Sequence, residues 1–226
     1  MEEKSSHQRK SLRRQVDESN TLLVNDYLDK FVYTEENGFS NIKREDGVKA
    51  QVSGIDITFD FNGESFLCDE KAATAYINNP LRTFSLELSF INKAGTEKIG
   101  WFVNDDLRTD SYVFVWVDEG DVIKAGEDKK GEIYALTGID GIKKIEISFI
   151  RKEKIKEYLS SLGWTRDNLL EKNRRIRENS KEKMGKITEN GCKFSYSKSL
   201  SEKSINVLVP RDKLIEMADK HLKFGY

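Results

Sequence analysis

An α/β fold, a mixed β-sheet flanked by helices, is predicted by three features of the chain. Apolar residues recur at helical spacing over residues 21–33, the period then drops to two through several strands, and helical spacing returns after residue 152. Strands bracketed by helices bury their apolar faces by packing the helices onto the sheet. A chain of 226 residues is one good-sized domain, and 12 Phe, 8 Tyr and 3 Trp can build its core although only 37% of residues are hydrophobic. The expected organisation is a polar lead-in over 1–18, an α/β core over 19–150, and a basic C-terminal extension over 151–226 packed on that core.

The elements follow in order. Leu23, Val24, Tyr27, Leu28, Phe31 and Val32 form the stripe of a first helix, with Ser19 or Asn20 as its cap. Residues 35–47 are polar, contain two glycines and read as a loop. Ile55, Ile57, Phe59 and Phe61 alternate with Gly54, Asp56, Thr58 and Asp60, which is a strand with one buried face. Asn62-Gly63 is a hairpin signal leading into a second strand over 64–71, and residues 72–78 are a short helical turn. Phe84, Leu86, Leu88 and Phe90 alternate with polar residues, and 98–103 reads as the returning strand. Residues 112–117, Tyr-Val-Phe-Val-Trp-Val, are continuously apolar, as a strand covered on both faces must be. More strand follows, notably Ile145, Ile147 and Phe149; 152–162 and 165–183 read as helices, and 205–209 as a strand. Pro210 opens a last helix whose stripe is Leu214, Ile215, Ala218, His221 and Leu222.

Composition removes several classes of function. No apolar run approaches the ~18 residues of a membrane span, and the polar start, Met1 to Gln15, is unlike a signal peptide, so a soluble cytoplasmic protein without a membrane partner is expected. Cys68 and Cys192 stand far apart, which excludes a disulfide scaffold and a cysteine-based zinc site. His7 and His221 alone leave little room for a histidine-dependent metal centre or a Ser–His–Asp triad. Any chemistry is left to carboxylates and lysines. Charge is distributed unevenly: Lys/Arg against Asp/Glu number 9 to 10 over 1–50, 10 to 18 over 51–150 and 19 to 11 over 151–226. An acidic middle followed by a basic tail fits a cation site beside a surface for a polyanion.

Asp56, Asp69 and Lys71 are the candidate catalytic residues. Asp56 lies on the polar side of its strand, the Asn62-Gly63 hairpin folds the next strand back alongside, and Asp69 and Lys71 project from one face of that strand. Carboxylates on paired strands can jointly hold a hard divalent cation, and an adjacent lysine can orient a water or neutralise a phosphate. The arrangement Gly54-Ile55-Asp56, hairpin, Asp69-Glu70-Lys71 resembles the PD-(D/E)XK nuclease superfamily of restriction and repair endonucleases, over residues 20 to 117 or thereabouts.

That resemblance implies a restriction-endonuclease-like core and a metal-dependent phosphodiester hydrolase acting on DNA rather than RNA, in restriction, repair or mobile-element biology. Asp56 and Asp69 would bind Mg²⁺ or Mn²⁺ with the backbone carbonyl of Glu70, and Lys71 would help position the attacking water. An acid from the first helix (Glu18, Asp26 or Asp29) would add to the site, and Glu87 would stand at its outer edge. The resemblance allows a homodimer, for which the sequence carries no association signal. Ile55 stands where the namesake motif has proline, and Glu70 where the family usually has an apolar residue.

Arg174, Arg175 and Arg177, with Lys181, Lys183 and Lys186, are the candidate nucleic-acid-binding tract, although interleaved Glu171, Glu178 and Glu182 equally describe a solvated helix laced by ion pairs. Trp101, Tyr112, Phe114 and Trp116 could stack on bases, but their strand periodicity favours core packing. The alternative function is a non-catalytic nucleic-acid- or protein-binding module with a nuclease-like fold; a third is an accessory protein with no nucleic-acid role.

Overall fold

A computed structural model describes residues 11–45, 53–179, 186–197 and 200–226. Helix α1 (Leu12–Tyr27) begins inside the expected lead-in, because Ser11 caps it by accepting the Arg14 N–H at 3.4 Å. It continues through a π-helical stretch, Leu28–Val32. Asn20 is therefore no cap. It is buried, and its amide donates to the Tyr134 carbonyl and accepts the Leu136 N–H, which fixes the helix to a strand far along the chain.

Strands β1 (Phe39–Arg44), β2 (Ile57–Phe61) and β3 (Glu64–Ala72) form an antiparallel meander. The expected hairpin joins β2 to β3, with Asn62 at φ 52° and Gly63 at φ 80°, the left-handed pair that a tight two-residue turn demands. After a 3₁₀ turn (Thr74–Tyr76), β4 (Thr83–Ile91) and β5 (Glu97–Ile99) belong to a second sheet. The strand expected over 98–103 stops at Ile99. The backbone turns at Gly100, where a Cβ would lie 2.3 Å from the Glu87 carbonyl oxygen.

Strand β6 (Ser111–Gly120) returns to the first sheet parallel to β3. A two-stranded ribbon, β7 (Val122–Asp128) and β8 (Gly131–Leu136), leads to β9 (Ile142–Arg151), then α2 (Lys152–Ser161) and α3 (Arg166–Glu178). The helix expected over 165–183 ends at Glu178, where Asn179 turns extended, and residues 180–183 lie outside the described residues. Strands β10 (Lys186–Glu189), β11 (Cys192–Tyr196) and β12 (Ile205–Pro210), the short helix α4 (Arg211–Glu216) and β13 (Lys220–Phe224) complete the chain.

The first sheet has the order β1-β2-β3-β6-β9-β13 and the second β10-β11-β12-β4-β5. The fold is mixed α/β. Residues 151–226 supply β13 to the first sheet and three strands to the second, so they share the cores with the preceding residues. The last helix is shorter than its apolar spacing predicts: β9 offers an open edge, and the chain after Asp219 pairs with it as β13. His221 thus sits on a strand, its Nδ1 3.0 Å from the Ser148 hydroxyl, and not on a helical stripe.

The two cores follow from the alternation along β6 and β9. Val113, Val115 and Val117, with Ile145, Ile147 and Phe149, face the α1 side together with Ile57, Phe59, Phe66 and Val24. Tyr112, Phe114, Trp116 and Ile150 face the other way, onto Phe84, Leu86 and Leu88 of the second sheet and Ile155 and Leu159 of α2. On the α1 side the Phe149 ring meets Tyr33, Phe39 and Phe59 with centroids 6.1, 5.0 and 5.8 Å away. Phe149 is 2% exposed, and Phe149→Ala should lower unfolding free energy by about 3–5 kcal/mol, measured by urea denaturation.

Candidate functional site

The site forms where β2 and β3 run side by side. Gly54 adopts φ 70°, and its carbonyl accepts the Thr109 hydroxyl, so the chain enters β2 from a pinned left-handed turn. Ile57 pairs with Cys68, and the Asp56 N–H donates to the Cys68 carbonyl at 2.8 Å, which brings Asp56 level with Asp69. Asp56 Oδ2 accepts the Glu70 N–H at 2.8 Å. Lys71 Nζ donates to Asp69 Oδ1. The three residues singled out as catalytic are therefore together, on the face of the first sheet that looks toward the second.

Asp69 is 6% exposed. Burial pushes its carboxyl up to about 7; the Lys71 ammonium opposes the shift and the neighbouring Asp56 carboxylate reinforces it. Lys71 lies 5.0 Å from the Trp101 ring centroid, so one face of its ammonium is covered by an aromatic surface. Glu87, on β4, is raised by burial, with Lys71 opposing, and its carboxylate accepts the Trp101 N–H. The outer-edge position expected for Glu87 thus comes from the second sheet, and the close approach at Gly100 delivers Trp101 to both Glu87 and Lys71.

Tyr112 and Lys152 join this group. Tyr112 pairs with Asp69 in the parallel ladder; its hydroxyl is buried without a hydrogen-bond partner, and its pKa is raised by burial and then by Asp69. Lys152, the first residue of α2, is 7% exposed and feels the charge of Asp69. The periodicity at Tyr112 signals only core, and Lys152 is one cation among 38 Lys and Arg, so neither position stands out in the sequence.

Other expected residues are held elsewhere. Strand alternation sends the Glu70 side chain to the opposite face, where Tyr33 donates to it at 2.6 Å and Arg44 forms an ion pair with it. Arg44 also pairs with Asp29, and Glu18 pairs with Arg14, so both of those helix acids are engaged away from Asp69. The buried Glu70 carboxylate is accommodated by Arg44, which satisfies a charge that burial would otherwise penalise.

The basic tract is also engaged. Arg174 pairs with Glu171 and Glu178 at 2.7 and 2.6 Å, and Arg175 with Glu189 at 3.2 Å. Arg177 binds Glu97, the Ser89 hydroxyl and the Lys203 carbonyl at 3.2, 2.6 and 2.7 Å. Arg175 and Arg177 fasten α3 to the second sheet, while Arg174 pairs within the helix. Lys181 and Lys183 lie outside the described residues. Cys68 and Cys192 are free and buried, in keeping with packed strand residues.

Two carboxylates, the Glu70 carbonyl and water are a set that Mg²⁺ accepts, since that ion binds through one or two carboxylates and keeps several waters. Among the described residues, no group of three or more His, Cys, Asp and Glu side chains converges to hold a metal ion. No described helix is long and apolar enough to cross a membrane. Comparison of the chain with protein-family models, with curated proteins and with solved structures finds no match.

Asp69 gives a test of the site's electrostatics. A carboxyl with a raised folded-state pKa holds its proton more tightly folded than unfolded, so its contribution favours folding at low pH and is lost as pH rises from about 4 through 7. Relative to the parent, Asp69→Asn should gain stability between pH 5 and pH 8 by a few kcal/mol, read by chemical denaturation with chelator present. A difference independent of pH would show that Asp69 titrates normally.

Proposed function

We propose that the protein is a metal-dependent phosphodiester hydrolase acting on DNA, built on a restriction-endonuclease-like core. The observation that carries this reading is the meeting of Asp56, Asp69 and Lys71 on one sheet face, with a buried carboxyl raised to about 7 beside a second acid. Two crowded carboxylates at low solvent exposure are what a divalent cation relieves. Asp56, Asp69 and the Glu70 carbonyl would hold Mg²⁺ or Mn²⁺, which when bound supplies charge neutralisation at the phosphate and acidifies a water.

The chain's own residues do the rest. The Glu70 N–H fixes the Asp56 carboxylate, and Trp101 limits the space open to the Lys71 ammonium. From there Lys71 orients the water that attacks phosphorus. The water oxygen forms the new P–O bond as its proton passes to solvent, the ester P–O bond breaks, and solvent protonates the departing oxygen. Glu87 faces Lys71 from the second sheet and bounds the site on that side.

Asp56→Asn and Lys71→Ala should each reduce Mg²⁺-dependent cleavage of plasmid DNA by at least about a hundredfold with little change in melting temperature. Calorimetric binding of Mn²⁺ in the presence of DNA should disappear in Asp56→Asn. Cleavage by both variants at the parent rate would overturn the assignment. A second reading, a non-catalytic binding module on the same fold, is favoured by the absence of a three-ligand metal cluster among the described residues. It predicts DNA binding without a metal requirement and unaffected by Asp56→Asn.

A further inference from the structure

An open cleft of about 450 Å³ begins at the start of α2, lined by Asp110, Arg151, Lys152, Glu153 and Lys156. Its two acids and three cations are not equivalent. Asp110 is occupied, accepting the Leu67 N–H at 3.0 Å and the Ser111 hydroxyl at 2.7 Å and pairing with Arg151. Arg151 is turned toward the other sheet face, where it stacks 3.5 Å from the Phe66 ring centroid and pairs with Glu64. Lys152 and Lys156 remain. Lys156 is partly exposed and forms a surface pair with Asp105 at 3.2 Å, a contact that is worth little and is readily exchanged.

Lys152 is the unusual one. Its side chain is buried, yet its ammonium reaches the Asn104 carbonyl at a long 3.3 Å. Burying an ammonium carries a large desolvation cost unless a strong partner offsets it. On β6, level with Asp69, the Tyr112 hydroxyl is also buried and unpartnered. Lys152 therefore links the neighbourhood of Asp69, whose charge it feels, to the cleft that it shares with Lys156, and a weakly held ammonium in that place is complementary to an oxygen-rich anion.

We propose that Lys152 and Lys156 form a phosphate track leading out of the acidic site along the N-terminal end of α2, so that the substrate is a continuous nucleic-acid strand contacted at successive phosphates and not an isolated phosphoester. The inference rests on the hydrolase reading for what happens at Asp56 and Asp69, but its binding component stands apart from cleavage. It places the strand on α2, where Lys152 and Lys156 share one cleft, and not on α3, whose Arg177 is held by Glu97, the Ser89 hydroxyl and the Lys203 carbonyl and whose Arg174 is flanked by Glu171 and Glu178.

The test is fluorescence anisotropy of a labelled DNA duplex, with Ca²⁺ in place of Mg²⁺, titrated over a range of salt. Lys156→Ala, at a partly exposed position, and Lys152→Gln should each weaken binding by about fivefold and flatten the salt slope by about one phosphate contact. Arg174→Ala should bind like the parent. The proposal is overturned if Lys156→Ala and Lys152→Gln keep the parent affinity and slope, if Arg174→Ala weakens binding as much as they do, or if the parent does not bind. Cleavage in Mg²⁺ is read separately on the parent and on Asp56→Asn. Binding that depends on Lys156 without cleavage would retire the hydrolase reading and keep the track; cleavage indifferent to Lys156 and Lys152 would do the reverse.

Discussion

Strand β6 is the constraint from which the rest of the molecule follows. Seven consecutive residues, 111–117, are buried, so both faces of this strand must be covered. The odd-numbered valines require an apolar layer on one side, which α1 and the β1–β3 meander provide. Tyr112, Phe114 and Trp116 require another, and a single sheet cannot supply it. The second sheet exists because these aromatics must be removed from water, and each large ring that is fully buried contributes roughly 2–3 kcal/mol by transfer alone.

The site lies where this packing runs out. At the N-terminal end of β6 the space between the sheets is closed by polar groups: Asp69 and Lys71 from β3, Glu87 from β4 and Lys152 from α2. Charges in such a place are poorly hydrated without being sealed off. Their mutual effects are therefore large, and Asp69 responds by holding its proton near neutrality. The same sheet carries a second buried polar cluster at its far edge, where Arg211 joins Asp118 and Glu146 beneath the Trp116 ring and His221 approaches Glu146 at 2.9 Å. There every carboxylate has a cation on it. At the β2–β3 end, by contrast, Lys71 pairs with Asp69 while Asp56 and Glu87 accept backbone N–H groups.

Much of this was legible in the sequence. Alternation at Phe84–Phe90, the Asn62-Gly63 turn and the apolar run at Tyr112–Val117 each report a local rule of strand chemistry and appear in the structure as read, whereas the strand read from Ile55 begins only at Ile57, with Ile55 and Asp56 in the bend that leads into it. The juxtaposition of Asp56 with Asp69 and Lys71 was readable for the same reason, since a tight turn fixes register. What escaped depends on partners distant in the chain. Leu222 and His221 fit a helical stripe until the β9 edge claims them, and Asn20 looks like a cap until Tyr134 and Leu136 bind it. Arg175 and Arg177 of α3 are drawn to Glu189 and Glu97 by the packing of the helix on its sheet, and Lys152 acquires meaning only because α2 starts close enough to Asp69 to feel its charge. The existence of two sheets was not legible at all, because alternation states that a strand has a buried face and not which sheet it joins.

The parallel pairing of β3 with β6 has a consequence for how the chain acquires this shape. Parallel neighbours cannot be joined by a tight turn, and here the connection between them consists of β4 and β5, which pair within the other sheet. β4 in turn finds its main partner in β12, whose sequence lies more than a hundred residues on, and β13 then returns to the first sheet. Neither sheet can be finished before the other has been started. A chain laced in this way has few stable stopping points, and so many long-range closures must be made before the contacts repay them that folding will be slow and all-or-none.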